Sequence, residues 1–184
     1  ILVQGRNALV ENCYVYSNAS GMRGGGIAIE PPGGGTQTVR NCLVFGNRAD
    51  YAGGGISICG STNGNQRVEI SECTVARNVA ESEAGGIEIM LETWMPWAAH
   101  AACDIRNTIS WFNQISGYNN HDGTNMYWGF LPTVSTMKYS CATPLQPGAG
   151  NIEGDPKFQS ATSFRLQSVS PCVNAGTNAE NMAE

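Results

Sequence analysis

Hydrophobic positions in this chain alternate with small or polar ones in short runs that come back again and again. Gly26-Ile27-Ala28-Ile29-Glu30, Gly55-Ile56-Ser57-Ile58-Cys59 and Gly86-Ile87-Glu88-Ile89-Met90 each set isoleucines two residues apart, the period of a strand with one buried face. A second set alternates in the same way: Gln37-Thr38-Val39-Arg40, Arg67-Val68-Glu69-Ile70 and Ala102-Cys103-Asp104-Ile105. A third starts at a repeated cysteine, as in Cys42-Leu43-Val44-Phe45. No segment sustains a 3.6-residue apolar period, so the pattern predicts short strands and no long helix.

The runs belong to a repeat. A glycine run leads into each first strand, as Gly24-Gly25-Gly26-Ile27, Gly53-Gly54-Gly55-Ile56 and Gly85-Gly86-Ile87. Midway between copies a cysteine and an asparagine keep register, in 12–18, 41–47 and 72–78, and 107–113 keeps the asparagine alone. The closing residues Asn18, Asn47, Asn78 and Asn113 lie 29, 31 and 35 residues apart. Such a period means stacked supersecondary units. Three short strands per unit, with no helix to cover them, predict an all-β chain in which each repeat is one coil of a parallel β-helix. We expect about four to five coils of three strands over 1–140, and a C-terminal capping segment of the same domain over 141–184. Coils stacked at about 4.8 Å put like residues above one another, isoleucines inside and asparagines at a turn. Gly26, Gly55 and Gly86 fall where a Cβ would clash or φ must be positive. A β-sandwich would not require in-register identity at this period.

Composition narrows the class without naming an activity. The 184 residues suffice for one domain, and charged residues make up only 14%. A net charge of −5 argues against nucleic acid or an anionic membrane as partner. No apolar run approaches the roughly 18 residues of a membrane span. The chain opens Ile1-Leu2-Val3, which reads as the start of a mature or truncated piece. Among the seven cysteines there is no Cys-x-x-Cys pair, so zinc and thioredoxin-type spacings are missing. Cys13, Cys42 and Cys73 repeat as small buried hydrophobes. Cys141 and Cys172 lie outside the ladder and are a candidate bridge closing the end; Cys59 and Cys103 are unassigned.

The repeats resemble those of bacterial right-handed parallel β-helix proteins, including the polymorphic outer-membrane protein group, which pair a GGA(I)-type motif with an FxxN-type motif. The matching positions are Gly24 to Ile27, Gly53 to Ile56 and Gly85 to Ile87, with Val15/Asn18, Val44/Asn47 and Val75/Asn78, valine standing where that motif has phenylalanine. The last third is similar to the ending of secreted β-helix proteins with a choice-of-anchor-type C-terminus. Tyr139-Ser140-Cys141, residues 150–158 and residues 164–176 carry it, with Asn174 in place of the usual aspartate. The resemblance implies a secreted or surface-anchored bacterial β-helix and no particular activity. Within that ending, Phe158, Phe164, Leu166 and Val173 are expected to seal the last coil, as solenoid ends require.

Candidate chemistry sits where the repeat is broken. Two turns swell into long loops, 91–101 and 114–123, which hold both histidines and Trp94 and Trp97. Trp94 and Trp97, with Tyr118 and His100, are either an exposed platform for a glycan or protein partner or a cover folded back on the coil. His121-Asp122, joined by His100, Glu88 or Glu92 of the adjoining coil, is the most catalytic-looking group, set against an ordinary solvated turn. No cofactor is implied; calcium through Asp122 and loop carbonyls is the form a metal would take. A glycosidase needs two carboxylates close together, so columns of stacked residues are the place to look. Ala28/Ser57/Glu88, Glu11/Arg40/Ser71/Arg106 and Asn12/Asn41/Glu72/Asn107 hold one acid each, and no column offers two. Glu11 and Arg40 are expected to form a surface ion pair. The expected function is therefore an extracellular structural or adhesive module that binds through the loops of the third and fourth repeats. The C-terminal part of a polysaccharide lyase or glycoside hydrolase, and a subunit that associates end to end, are the alternatives.

Overall fold

A computed structural model describes residues 1–30, 34–59, 66–90, 102–116, 125–128 and 135–177. Within them the chain winds through successive coils. The first comprises β1 (Leu2–Val3), β2 (Leu9–Glu11), β3 (Tyr14–Tyr16) and β4 (Ala19–Ser20). The second has β5 (Ile27–Ile29), β6 (Gly35–Arg40), β7 (Leu43–Phe45) and β8 (Arg48–Ala49). The third has β9 (Ile56–Cys59), β10 (Gln66–Ser71), β11 (Thr74–Ala76) and β12 (Val79–Ala80). The fourth has β13 (Ile87–Met90), β14 (Ala102–Arg106), β15 (Ile109–Trp111) and β16 (Gln114–Ile115). The last has β17 (Met126–Trp128), β18 (Thr136–Lys138) and β19 (Cys141–Ala142).

Strands of successive coils pair in parallel into four sheets, ordered β1-β5-β9-β13-β17, β18-β14-β10-β6-β2, β19-β15-β11-β7-β3 and β16-β12-β8-β4. The architecture is thus an all-β parallel solenoid. The fourth sheet, two residues wide, adds a short strand after each repeated asparagine. Its member β16 takes Gln114 and Ile115 out of the long loop to which the repeat pattern assigned them.

Register explains the ladders. Ile27, Ile56, Ile87 and Met126 stack in one column, and Ile29, Ile58, Ile89 and Trp128 in the next. Val39, Ile70, Ile105 and Met137 form the wall opposite. The isoleucines are fully or almost fully buried, each contributing about 1.5–3 kcal/mol of transfer free energy.

The two sequence motifs meet in space. A Cβ added to Gly55 would lie 2.8 Å from the Asn78 amide nitrogen and 2.7 Å from the Val75 side chain. Gly26 faces Asn47 and Gly86 faces Asn113 in the same way. These glycines are small because the asparagine of the same coil packs on them. Positive φ belongs to the first residue of the run: Gly24 and Gly53 adopt it, and Ala84 takes their place in the next coil with φ 42°.

The C-terminal segment behaves differently from a plug. Ile152 adds one bridge beside Cys141, and the chain then forms a hairpin through an antiparallel bridge between Phe158 and Leu166. The hairpin turns back along the outer face of the third sheet. Phe164 packs on Phe45 of β7, with ring centroids 5.0 Å apart, and Phe158 packs on Phe164 and Phe112. Residues 149–152 do cover the last coil, where the Tyr139 N–H donates to the Ala149 carbonyl at 2.8 Å and the Ile152 N–H to the Ser140 carbonyl at 2.9 Å. Phe158, Phe164 and Leu166, expected to seal it, belong instead to a strap along the side. Phe45 and Tyr16 point outward on their strands and give it an aromatic surface to dock on, while Val173 stays exposed.

Candidate functional site

Of the candidate residues, Glu92, Trp94, Trp97, His100, Tyr118, His121 and Asp122 lie outside the described residues. Glu88 lies within them, at the centre of β13 on the outward side, and it is nonetheless fully buried. Ser57, its neighbour one coil away, donates a 2.7 Å hydrogen bond from Oγ to the Glu88 carboxylate. Arg23, in the turn that leads into β5, forms an ion pair with the same carboxylate two coils on, its guanidinium 4.5 Å from the Tyr51 ring centre. A buried carboxylate held by one hydroxyl and one guanidinium depends on both, and removing either would strand a buried charge. The network ties the turn before β5 to β13.

The outer face of the second sheet corrects one expectation. Glu69 and Asp104 are direct register partners, so one column does carry two adjacent acids, flanked by Thr38 and Thr136. Arg67 joins both carboxylates, at 3.1 Å to Glu69, and Thr136 donates to Asp104 at 2.6 Å. The aligned strand runs already contain this pair. It escapes notice because its two strands are separated by the long loop 91–101. In the neighbouring column Arg40 donates to Glu11 at 2.7 Å, the ion pair expected on the surface.

Two inner corners carry hydrogen-bonded ladders. At one, each asparagine amide donates to the carbonyl oxygen of the next: Asn18 to Asn47 at 3.0 Å, Asn47 to Asn78 at 2.9 Å and Asn78 to Asn113 at 3.0 Å. Asn113 then donates to Asn125 at 3.1 Å, a rung that the broken repeat concealed. The left-handed backbone lies one residue earlier, at Ser17, Gly46, Arg77 and Phe112, rather than at the ladder residues.

At the other corner each side chain donates to the carbonyl two residues before it. Cys13, Cys42 and Cys73 do so at 3.1 Å, Thr108 at 2.9 Å and Ser140 at 2.8 Å. The repeated cysteine is therefore a thiol donor as well as a small core residue. The neighbouring Cys42 thiol and burial hold the Cys73 thiol above its ordinary range, which keeps it protonated for this role.

A groove of about 470 Å³ opens between the third sheet and the tip of the strap. Its floor includes Tyr14, 76% exposed, with Asn12 and Asn41 beside it, where Asn41 Nδ2 donates a hydrogen bond to Asn12 Oδ1 at 2.7 Å. Glu72 closes one side, and Thr162 and Arg165 of the strap close the other. An exposed ring among amides, hydroxyls and one charge of each sign suits a hydrogen-bonding ligand with a flat apolar face. The repeat hid this site, because its far wall, 162–165, comes from outside the repeated coils. Among the described residues no group of three histidine, cysteine, aspartate or glutamate side chains is placed to hold a metal ion. Among them, too, no helix is long and apolar enough to cross a membrane.

Comparison with protein-family models, with curated proteins and with solved structures gave no match. What the geometry establishes is the architecture: a parallel β-solenoid of about 31 residues per coil, a scaffold consistent with a structural or binding module.

Proposed function

We propose that this chain is a module of a secreted or cell-surface bacterial β-helix protein, with a structural or adhesive role, and that it binds a glycan or a protein partner. The observation that supports binding is the groove beside Tyr14, walled by the solenoid on one side and by the strap on the other. The loops 91–101 and 114–123, with Trp94, Trp97, His100 and Tyr118, are the second contact region in this reading. A glycan array and a protein pull-down, each probed with the intact chain and two pairs of variants, test it. Tyr14→Ala with Asn41→Ala should abolish retention if the groove is the site, and Trp94→Ala with Trp97→Ala if the loops are. A chain retained equally in all forms, or in none, defeats the reading.

A polysaccharide-degrading activity is the second reading, and the adjacent carboxylates of Glu69 and Asp104 favour it. Both are already engaged by Arg67 and Thr136, which is why binding ranks first. Release of reducing ends or unsaturated sugars by the intact chain, lost in Glu69→Gln and Asp104→Asn, would reverse that ranking.

A further inference from the structure

Cys141 and Cys172 face each other where the C-terminal segment, after the strap, returns to the end of the solenoid. Cys141 is buried on β19, its thiol donating to the Gly154 carbonyl at 3.2 Å. Cys172 sits in the turn that follows the strap, where its backbone N–H donates to Ser170 Oγ at 3.1 Å. Both line a cleft of about 200 Å³ together with Ile109, Ile152 and Leu166. Both are free thiols in this structure. The turn is held in place beyond Cys172 as well, since Asn107 Nδ2 donates to the Thr177 carbonyl at 2.8 Å and the Thr177 N–H donates back at 3.0 Å. The two sulfurs are thus presented to each other by packing on one side and by a reciprocal hydrogen-bonded pair on the other.

We propose that Cys141 and Cys172 form an oxidisable pair whose disulfide locks the strap onto the solenoid, and that a low-molecular-weight disulfide such as oxidised glutathione is its oxidant. The more exposed Cys172 attacks one sulfur of the small disulfide, forming a mixed disulfide and releasing one thiol. Cys141 then attacks the Cys172 sulfur, the S–S bond passes to the protein, and the second small thiol leaves. Two protein thiols are oxidised, one small disulfide is reduced to two thiols, and the two protons leave on those thiols. Hydrogen bonds from Cys141 and from Ser170 pull the Cys172 thiol below its ordinary range despite burial, which favours it as the attacking sulfur. None of the other cysteines links the strap to a coil: Cys13, Cys42 and Cys73 donate to carbonyls of their own coil, Cys59 lies beside Ser57, and Cys103 is buried in the core.

The lock matters because the strap forms one wall of the groove, although the pairing itself does not depend on what the groove binds. The test treats the intact chain with oxidised glutathione, blocks remaining thiols with N-ethylmaleimide under denaturing conditions, and maps peptides by mass spectrometry. The expected result is a 141–172 cross-linked peptide with the other five cysteines alkylated, and no cross-link in Cys141→Ser or Cys172→Ser. A glutathione adduct left on Cys172, or a cross-link among Cys13, Cys42 and Cys73, overturns the pairing. Limited proteolysis supplies the second readout: cleavage within 143–177 should be at least tenfold slower in the oxidised chain than in the reduced one, and equal rates overturn the lock.

Discussion

At the scale of single residues, hydrogen-bond accounting decides more than hydrophobicity does. Asn78 gives its amide hydrogens to Asn113 and to the Val44 carbonyl, and its oxygen accepts from the Asn47 amide and backbone. Asn78→Ala would leave several buried groups unpaired at once, so we expect a loss of about 3 kcal/mol or more, read as a lower urea midpoint. A loss under about 1 kcal/mol would mean the ladder is ornamental. The cysteine corner makes a gentler prediction. Thr108 and Ser140 perform the same bond with a hydroxyl, so Cys42→Ser should fall closer to the parent in stability than Cys42→Ala. A gain is expected at Glu72, which holds φ 57° in a column where asparagine stands at positions 12, 41 and 107. Asparagine tolerates that backbone better and extends the exposed amide ladder, so Glu72→Asn should stabilise by about 0.5–1 kcal/mol.

At the scale of elements, the strap is the piece with its own energetics. It docks through aromatic contacts rather than through a sheet, so truncating one ring should loosen it and spare the coils. Phe164→Ala is expected to cost about 2–3 kcal/mol and to speed proteolysis within 157–167, with the β-type circular dichroism of the coils retained. The entry to the strap is pH-sensitive. Asp155 accepts the Lys157 N–H at 2.9 Å and pairs with its ammonium at 3.2 Å, and these bonds hold its carboxyl below the ordinary aspartate range. Because the folded value is depressed, the turn gains stability above the ordinary range and loses it as pH falls through the folded value, below about pH 4. An NMR titration should show Asp155 titrating low, and Asp155→Asn should remove the pH dependence of Lys157 amide protection.

At the scale of the molecule, the strands of each coil pair only with those of the next, and the Arg23–Glu88 pair and the strap add ties between coils that are not neighbours. The first-coil strands β1 to β4 form one edge of the four sheets and β16 to β19 the other. Parallel edges can pair with further strands, which is the physical content of the self-association reading. Sedimentation at rising concentration separates the two cases: a single species favours a binding module, and a series of end-on oligomers favours an assembling subunit.

How much was legible depended on whether a feature repeats. Ile27, Ile56 and Ile87 announce their column because a strand has period two and a coil a near-constant length, and both periods survive in one dimension. Asn18, Asn47, Asn78 and Asn113 announce theirs for the same reason. Asn125 did not, because it stands just ahead of Met126 in register with Gly86, in the glycine column, and takes its place in the ladder from there. The buried Arg23–Glu88 pair spans two coils, and neither residue repeats. The strap left no periodic trace at all: its path along the third sheet follows from outward aromatic side chains at Tyr16 and Phe45 that a strand pattern marks only as exposed. The sequence by itself therefore determined the coil, its core and its ladders, which are local periodicity under parallel stacking. Only the tertiary structure decided where residues 143–177 go, which thiols meet and where a groove opens, because those depend on contacts between segments with no common period.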